Sequence, residues 1–128
     1  MMEQGWKRYG IAIAVASMLA GAAHAEPGSS AYVRGGIVGP VFVDAAYQAP
    51  SGCWYIAGAG RGAPAGVSPG TDVAVTVRFA SKGTACGPGR VLHIVTRVSA
   101  NIGSIVRVYF VAPDGRIVKT ERVSVSTG

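Results

Sequence analysis

Hydrophobic and polar residues alternate along much of the second half of the chain, which is the pattern of β-strands with one buried face. Three segments, residues 71–80, 91–98 and 105–111, show this most clearly. Their apolar faces carry Val73, Val75, Val77 and Phe79; Leu92, Ile94 and Val98; and Val106, Val108 and Phe110. Polar residues such as His93 and Arg97 fall on the opposite face of the second segment. Each segment is therefore predicted to pack one face into a core.

Shorter segments of the same kind occur at residues 41–47, at 53–57 and near Tyr32, and residues 116–126 form a last candidate strand. No stretch after residue 25 has helical periodicity over a useful length. Six or seven short strands predict an all-β fold, a small immunoglobulin-like or Greek-key β-sandwich, with a small closed β-barrel as the alternative. The likeness is architectural only, because the cysteine spacing of an immunoglobulin domain is not met.

The strongest turn signal is Ala112-Pro113-Asp114-Gly115, which favours a type I turn with a G1 bulge between residues 105–111 and 116–126. With Ala112 facing Arg116, an unbroken ladder would pair Val111 with Ile117, Tyr109 with Lys119 and Arg107 with Glu121. The other face would carry Phe110 with Val118, Val108 with Thr120 and Val106 with Arg122. Opposite charges face one another in this register, which supports it.

Residues 1–25 have the organisation of a cleavable export signal. Lys7 and Arg8 precede an uncharged run at residues 11–23, and Ala23-His24-Ala25 supplies small residues at the cleavage positions. The apolar run is too short for a comfortable membrane span, although an uncleaved anchor is the alternative. We therefore expect a signal peptide over residues 1–25, one domain over residues 26–128, a periplasmic or secreted location, and no stable membrane insertion after cleavage.

The two cysteines, Cys53 and Cys86, both lie in the exported part, where a disulfide persists. Neither has the CxxC spacing of a redox or zinc site, so a structural disulfide is favoured over a reactive or metal-binding thiol.

Two stretches rich in glycine and proline interrupt the strands, residues 58–70 and 81–90. The first is expected to be a flexible crossover, with a binding loop as the alternative, and it lacks the glycine spacing of a nucleotide-binding loop.

The chain carries a formal net charge of +6, which falls to about +5 when Lys7, Arg8 and Glu3 are removed with the signal. The remaining basic residues are scattered rather than clustered, which argues against a nucleic-acid partner, as does export. A mild positive charge leaves acidic proteins and anionic envelope components open as partners.

No reaction centre is apparent in the exported part. His93 is its only histidine, the carboxylates are few and dispersed, and GxSxG is absent. Asp114 is accounted for by its turn and Glu121 by the predicted pair with Arg107. We therefore expect no enzymatic activity, no catalytic residues, no metal site and no cofactor.

Five residues are candidates for a binding surface: Trp54, Arg61, His93, Arg97 and Tyr109. Trp54 directly follows Cys53, and neighbouring side chains of a strand point to opposite faces. Either the disulfide or the indole should then face the core, and not both. Core packing of Trp54 is the favoured alternative, and an outward indole in a ligand surface is the other.

The sequence thus predicts an exported, non-catalytic β-domain that binds a protein or a cell-envelope component. Two alternatives belong to other classes. One is a secreted hydrolase inhibitor that inserts the disulfide-braced loop at residues 84–90 into an enzyme cleft. The other is a glycan-binding module that presents aromatic rings.

Overall fold

The computed structural model of the chain describes residues 27–33 and 40–127, so the predicted signal peptide lies outside the described residues. The described part is all-β, as predicted, and contains seven strands and no helix. The strands are β1 (Ser30–Val33), β2 (Val41–Gln48), β3 (Trp54–Arg61), β4 (Val73–Ser81), β5 (Val91–Val98), β6 (Ile105–Val111) and β7 (Ile117–Thr127).

All seven strands belong to one sheet in the order β3-β4-β6-β7-β1-β2-β5. Two neighbouring pairs are parallel, β4 with β6 and β7 with β1, and the other pairs are antiparallel. The edge strands β3 and β5 lie next to each other, so the sheet nearly closes on itself. This arrangement is consistent with both architectures expected from the sequence.

The inner face of the sheet forms the core, and the alternating apolar residues occupy it as the pattern predicts. The largest side chains that are fully buried there are Val41, Val43, Val75, Val77, Val106, Val108 and Phe110. Four rings pack together within this core. Tyr47 lies 5.1 Å from Phe79 and 5.3 Å from Phe110, and Trp54 lies 5.6 Å from Phe79, all between ring centroids. Aromatic pairs at these distances contribute beyond the area that they bury.

A corner joins β2 to β3 and brings two chain segments unusually close together. Residues 49–53 pair with residues 86–90 through Ala49 N–H to Arg90 O (3.0 Å) and Gly52 N–H to Gly87 O (3.1 Å). A side chain at Gly89 would place its Cβ only 1.8 Å from Ala49 O, and one at Gly52 would place it 2.5 Å from Cys86 O. Glycine is therefore required at both corner positions for steric reasons.

The predicted disulfide between Cys53 and Cys86 is formed at this corner, with 5.0 Å between the Cα atoms. Cys53 is fully buried, whereas residues 81–88, which include Cys86, are all exposed. Trp54 also packs against the core, so the expectation that only one of the two would face inward is wrong. Cys53 lies in a turn just before β3 begins, where strict alternation of side chains does not apply.

The β6–β7 hairpin forms with the predicted turn but with a different register. Ala112 N–H donates to Arg116 O (2.8 Å), Gly115 has a φ of 90°, and Val111 faces Ile117 as expected. Beyond that point Val118 is an extra residue, so Phe110 faces Lys119. The one-residue shift moves every later side chain of β7 to the other face of the sheet.

The predicted pair of Arg107 with Glu121 is therefore wrong. Arg107 faces Arg122, and Val108 faces Glu121. Lys119 and Glu121 lie on the inner face with Phe110 and Val108, and Arg122 lies on the outer face.

Candidate functional site

A groove on the outer face of the sheet runs beside edge strand β3. Gly58 and Gly60 lie opposite Arg78 and Thr76 of β4. Arg78 and Thr76 point outward because Val77 and Phe79 point into the core. Glycine thus occupies successive outward positions of β3, and Gly62 continues the series just after the strand. The missing side chains leave the backbone open, which is a common setting for close approach of a ligand or another chain.

We call this cavity of about 550 Å³ the glycine groove; it is lined by residues 59–65, Thr76, Arg78, Val111 and Gly115. The connection after β3 is fixed at its start by two hydrogen bonds. Gly62 N–H donates to Ala74 O (2.9 Å), and the Thr76 hydroxyl donates to Gly62 O (2.6 Å). The stretch 58–70 is therefore not one crossover, because residues 58–61 belong to β3 and only the following residues form the connection.

The charged groups that line the glycine groove are both cationic. Arg78 extends its guanidinium over Gly58, so that a Cβ at that glycine would lie 2.9 Å from Nη2. Arg61 donates through Nη1 to the backbone carbonyl of Ser99 at 3.5 Å. Neither arginine forms an ion pair within the described residues. The groove therefore presents positive charge with no carboxylate among its lining residues.

Asp114 is the one carboxylate residue next in sequence to a residue that lines the glycine groove, and it already accepts hydrogen bonds from Arg116. Asp114, next to Gly115, accepts from Arg116 N–H (3.0 Å) and from Arg116 Nε (3.1 Å). These hydrogen bonds, the backbone one first, lower the pKa of Asp114 below its ordinary value. It stays ionised and directed at Arg116 rather than at Arg78.

A second, smaller cavity of about 310 Å³ adjoins the connection and is lined in part by Arg61 and Asp72. Asp72 is shared by two arginines of neighbouring strands, with 2.7 Å from Arg107 Nη2 and 2.9 Å from Arg122 Nε to the same Oδ2. The hydrogen bond from Arg122 and then that from Arg107 lower the pKa of Asp72, against the effect of burial. The same contact raises the pKa of Arg107. This cluster fixes the end of the connection to β6 and β7.

Tyr109, a candidate for the binding surface, is only 3% exposed and so is not on the surface. It lies on the outer face of β6 opposite Thr76, which is also buried. Its hydroxyl lies beside the Arg107 guanidinium and, after Asp72, helps to raise the pKa of Arg107, although this contact does not have the geometry of a hydrogen bond. The outer face of the sheet is therefore buried at Tyr109 and Thr76, which the alternation of apolar and polar residues in the sequence does not predict.

The other candidates separate into different parts of the molecule. Trp54 is half-buried against the core rather than presented outward. His93 and Arg97 point outward from β5, where His93 Nε2 lies 2.5 Å from Asp44 Oδ1 of β2. Of the five candidates, only Arg61 lines the glycine groove.

Arg78, the principal cation of the groove, was not among the residues predicted from the sequence. The available signal was the alternation of glycine at positions 58, 60 and 62, which has the period of a strand but the composition of a loop.

Within residues 27–33 and 40–127, no three of the side chains of His, Cys, Asp and Glu are grouped so as to hold a metal ion. That part of the chain also has no helix long and apolar enough to cross a membrane. The sequence matches no protein family model, and comparison with curated proteins and solved structures gave no significant match.

Proposed function

We propose that this protein is an exported, non-catalytic binding domain, and that its glycine groove holds an anionic segment of a partner protein or envelope component. The observation that carries the proposal is the Arg78 guanidinium, which lies in an open groove and has no carboxylate partner within the described residues. A guanidinium offers a planar set of donors that suits carboxylate and phosphate groups.

The shape of the groove supports an extended ligand rather than a compact one. Its floor is backbone at Gly60 and Gly62, and no heavy atom beyond the chain neighbours lies within 4 Å of where their Cβ atoms would be. An anionic chain lying along β3 would place a charged group at Arg78 and meet little steric resistance beside it. The firmly bonded base of the connection, at Gly62, would require little reorganisation on binding.

The proposal is tested by charge reversal at the groove and at a matched arginine. Wild-type protein, Arg78→Glu and Arg90→Glu would each be immobilised and exposed to an envelope extract, and the captured species identified by mass spectrometry. Arg90 is an exposed arginine at the corner and does not line the groove, so Arg90→Glu makes the same change in net charge. We expect a defined species to be captured by wild type and Arg90→Glu and lost with Arg78→Glu.

Defined probes make the same comparison without an extract. Titration of labelled protein with poly-γ-glutamate or with anionic phospholipid headgroups should shift resonances of Gly60 and Gly62, and Arg78→Glu should abolish these shifts. Salt should weaken the interaction, because both partners are exposed charges. Equal loss of binding in Arg78→Glu and Arg90→Glu would show attraction by net charge alone and would contradict a specific groove.

A further inference from the structure

A second cationic group lies on the same outer face of the sheet as the glycine groove. Arg107 Nη2 and Arg122 Nε approach the same oxygen of Asp72, Oδ2, at 2.7 Å and 2.9 Å. We call these three residues the arginine cluster. Because two guanidinium groups share one carboxylate, one positive charge of the cluster has no counterpart among the described residues. The Arg122 side chain is 58% exposed, so this charge is accessible to an anion from outside.

The arginine cluster adjoins the glycine groove. The cavity of about 310 Å³ beside the cluster and the cavity of about 550 Å³ that forms the groove share three lining residues, Arg61, Gly62 and Ala63. Asp72 lines the smaller cavity, and Arg78 lines the larger one. A ligand of sufficient length can therefore extend from Arg78 to the cluster along one face of the molecule.

The spacing of these two cationic points follows from the register of the strands. Arg78 and Ala74 are four residues apart on β4, which corresponds to about 13 Å along the strand. Ala74 faces Arg107 of β6, and Arg107 faces Arg122 of β7. Arg78 and the arginine cluster are thus separated by about 13 Å in the strand direction. In an extended polypeptide, side chains four residues apart lie on the same face and are separated by the same distance.

We propose that the ligand of the glycine groove is an extended acidic segment of a partner protein, in which carboxylates four residues apart bind Arg78 and Arg122. This inference rests on the proposed function and narrows its partner to a polypeptide. Charge complementarity at two fixed points selects a ligand by the spacing of its charges as well as by their sign. A bilayer surface has no such spacing and would also meet the exposed Lys82 and Arg90 of the corner, although neither lines either cavity.

The test varies the spacing of two charges in a synthetic ligand. Three capped peptides of serine and glycine would carry one glutamate, two glutamates separated by one residue, or two glutamates separated by three residues. Each would be titrated at low salt into isotope-labelled full-length protein and followed by NMR. We expect the widely spaced peptide to bind about tenfold more tightly than the peptide with one glutamate. The closely spaced peptide has the same net charge and should gain less than about threefold.

The positions of the shifted resonances provide a readout that needs no substitution. All three peptides should shift the amides of Gly60 and Gly62, which line the glycine groove. Only the widely spaced peptide should also shift the Nε–Hε resonance of Arg122. The same shifts for all three peptides at Arg122 would show that this arginine does not respond to spacing and would overturn the proposal.

A substitution at the second point gives the complementary test. Arg122→Gln should reduce the affinity of the widely spaced peptide to that of the peptide with one glutamate, whose own affinity should not change. Arg97→Gln is the matched control, because Arg97 is an exposed, outward arginine of β5 that lines neither cavity. If Arg122→Gln folds poorly after Asp72 loses a partner, Arg122→Lys retains the charge and should give an intermediate affinity.

The possible failures of this proposal and of the proposed function are distinct. Binding that Arg78→Glu abolishes but that is equal for the closely and widely spaced peptides would overturn the second contact and leave the proposed function standing. Binding of no peptide to the wild type, together with binding of phosphatidylglycerol vesicles that Arg78→Glu abolishes, would identify a membrane surface as the partner and overturn the proposal alone. If neither peptides nor vesicles bind in a manner that depends on Arg78, both are contradicted.

Discussion

Replacing Gly89 with alanine should strongly destabilise the domain, because the corner leaves no space for a side chain. The added Cβ would lie 1.8 Å from Ala49 O and 2.7 Å from Ala49 C. Ordinary van der Waals contact begins at 3.4 Å, so the Ala49 carbonyl would have to withdraw by about 1.6 Å. That movement would disturb the hydrogen bond between Ala49 N–H and Arg90 O and the neighbouring one from Gly52.

The expected magnitude follows from these contacts. Two weakened backbone hydrogen bonds contribute about 1 kcal/mol each, and overpacking of a closely packed site adds about 1–3 kcal/mol. The free energy of unfolding should therefore fall by about 3–5 kcal/mol, a large part of the total for a domain of this size. Urea denaturation followed by Trp54 fluorescence measures this change, because the half-buried indole packs against the core beside the corner.

Gly60→Ala is the matched control. It makes the same chemical change in β3, where no heavy atom beyond the chain neighbours lies within 4 Å of the new Cβ and φ is not positive. We expect its stability to stay within about 0.5 kcal/mol of the wild type. A Gly89→Ala protein that unfolds within about 1 kcal/mol of Gly60→Ala would refute the steric reasoning.

Three further changes test other parts of the structure. Replacing Cys53 and Cys86 together by alanine should lower the free energy of unfolding by about 3.8 kcal/mol on the chain-entropy model, and reduced wild-type protein should match the variant in urea denaturation. Tyr109→Phe removes a buried hydroxyl that lies beside Arg107 without forming a hydrogen bond of good geometry, and the free energy of unfolding should stay unchanged or rise by up to about 1 kcal/mol; a fall of more than about 1 kcal/mol would show that the contact with Arg107 is a stabilising hydrogen bond. Asp72→Asn should lower the melting temperature at neutral pH. Because pairing lowers the pKa of Asp72, the difference from wild type should be complete above the ordinary value of 3.8 and shrink as pH falls below it; a difference that stays undiminished as pH falls below 3.8 would argue against the ion pairs.

The positions and buried faces of the strands could be predicted because the two-residue period is local. Val73, Val75 and Val77 face the core whichever strand lies beside β4. Pairings between distant strands are not local in this sense. Asp72 meets Arg107 because β4 and β6 run parallel with Ala74 beside Arg107, and neither residue carries a sequence signal for that pairing.

The glycine groove could not be predicted from the sequence for a different reason. Glycine has low strand propensity, so residues 58–61 have the composition of a loop. They form a strand because β4, which is strongly alternating, provides the hydrogen-bonding partner along their length. Tertiary pairing thus overrides local preference, and it does so at the place where missing side chains expose the backbone beside Arg78.

One extra residue, Val118, determines where the charges of β7 lie. In the unbroken register predicted from the sequence, Arg122 would face the core beside Val106, and Lys119 and Glu121 would lie outside with Arg107. The bulge instead places Arg122 outside, where it reaches Asp72, and places Lys119 and Glu121 inside, where Lys119 Nζ lies 3.3 Å from Glu121 Oε2. The outer arginine cluster and the inner ion pair therefore have a common structural origin. A bulge that also brings Val123 and Val125 back to the core has a packing reason to form, because the unbroken register would turn both valines outward.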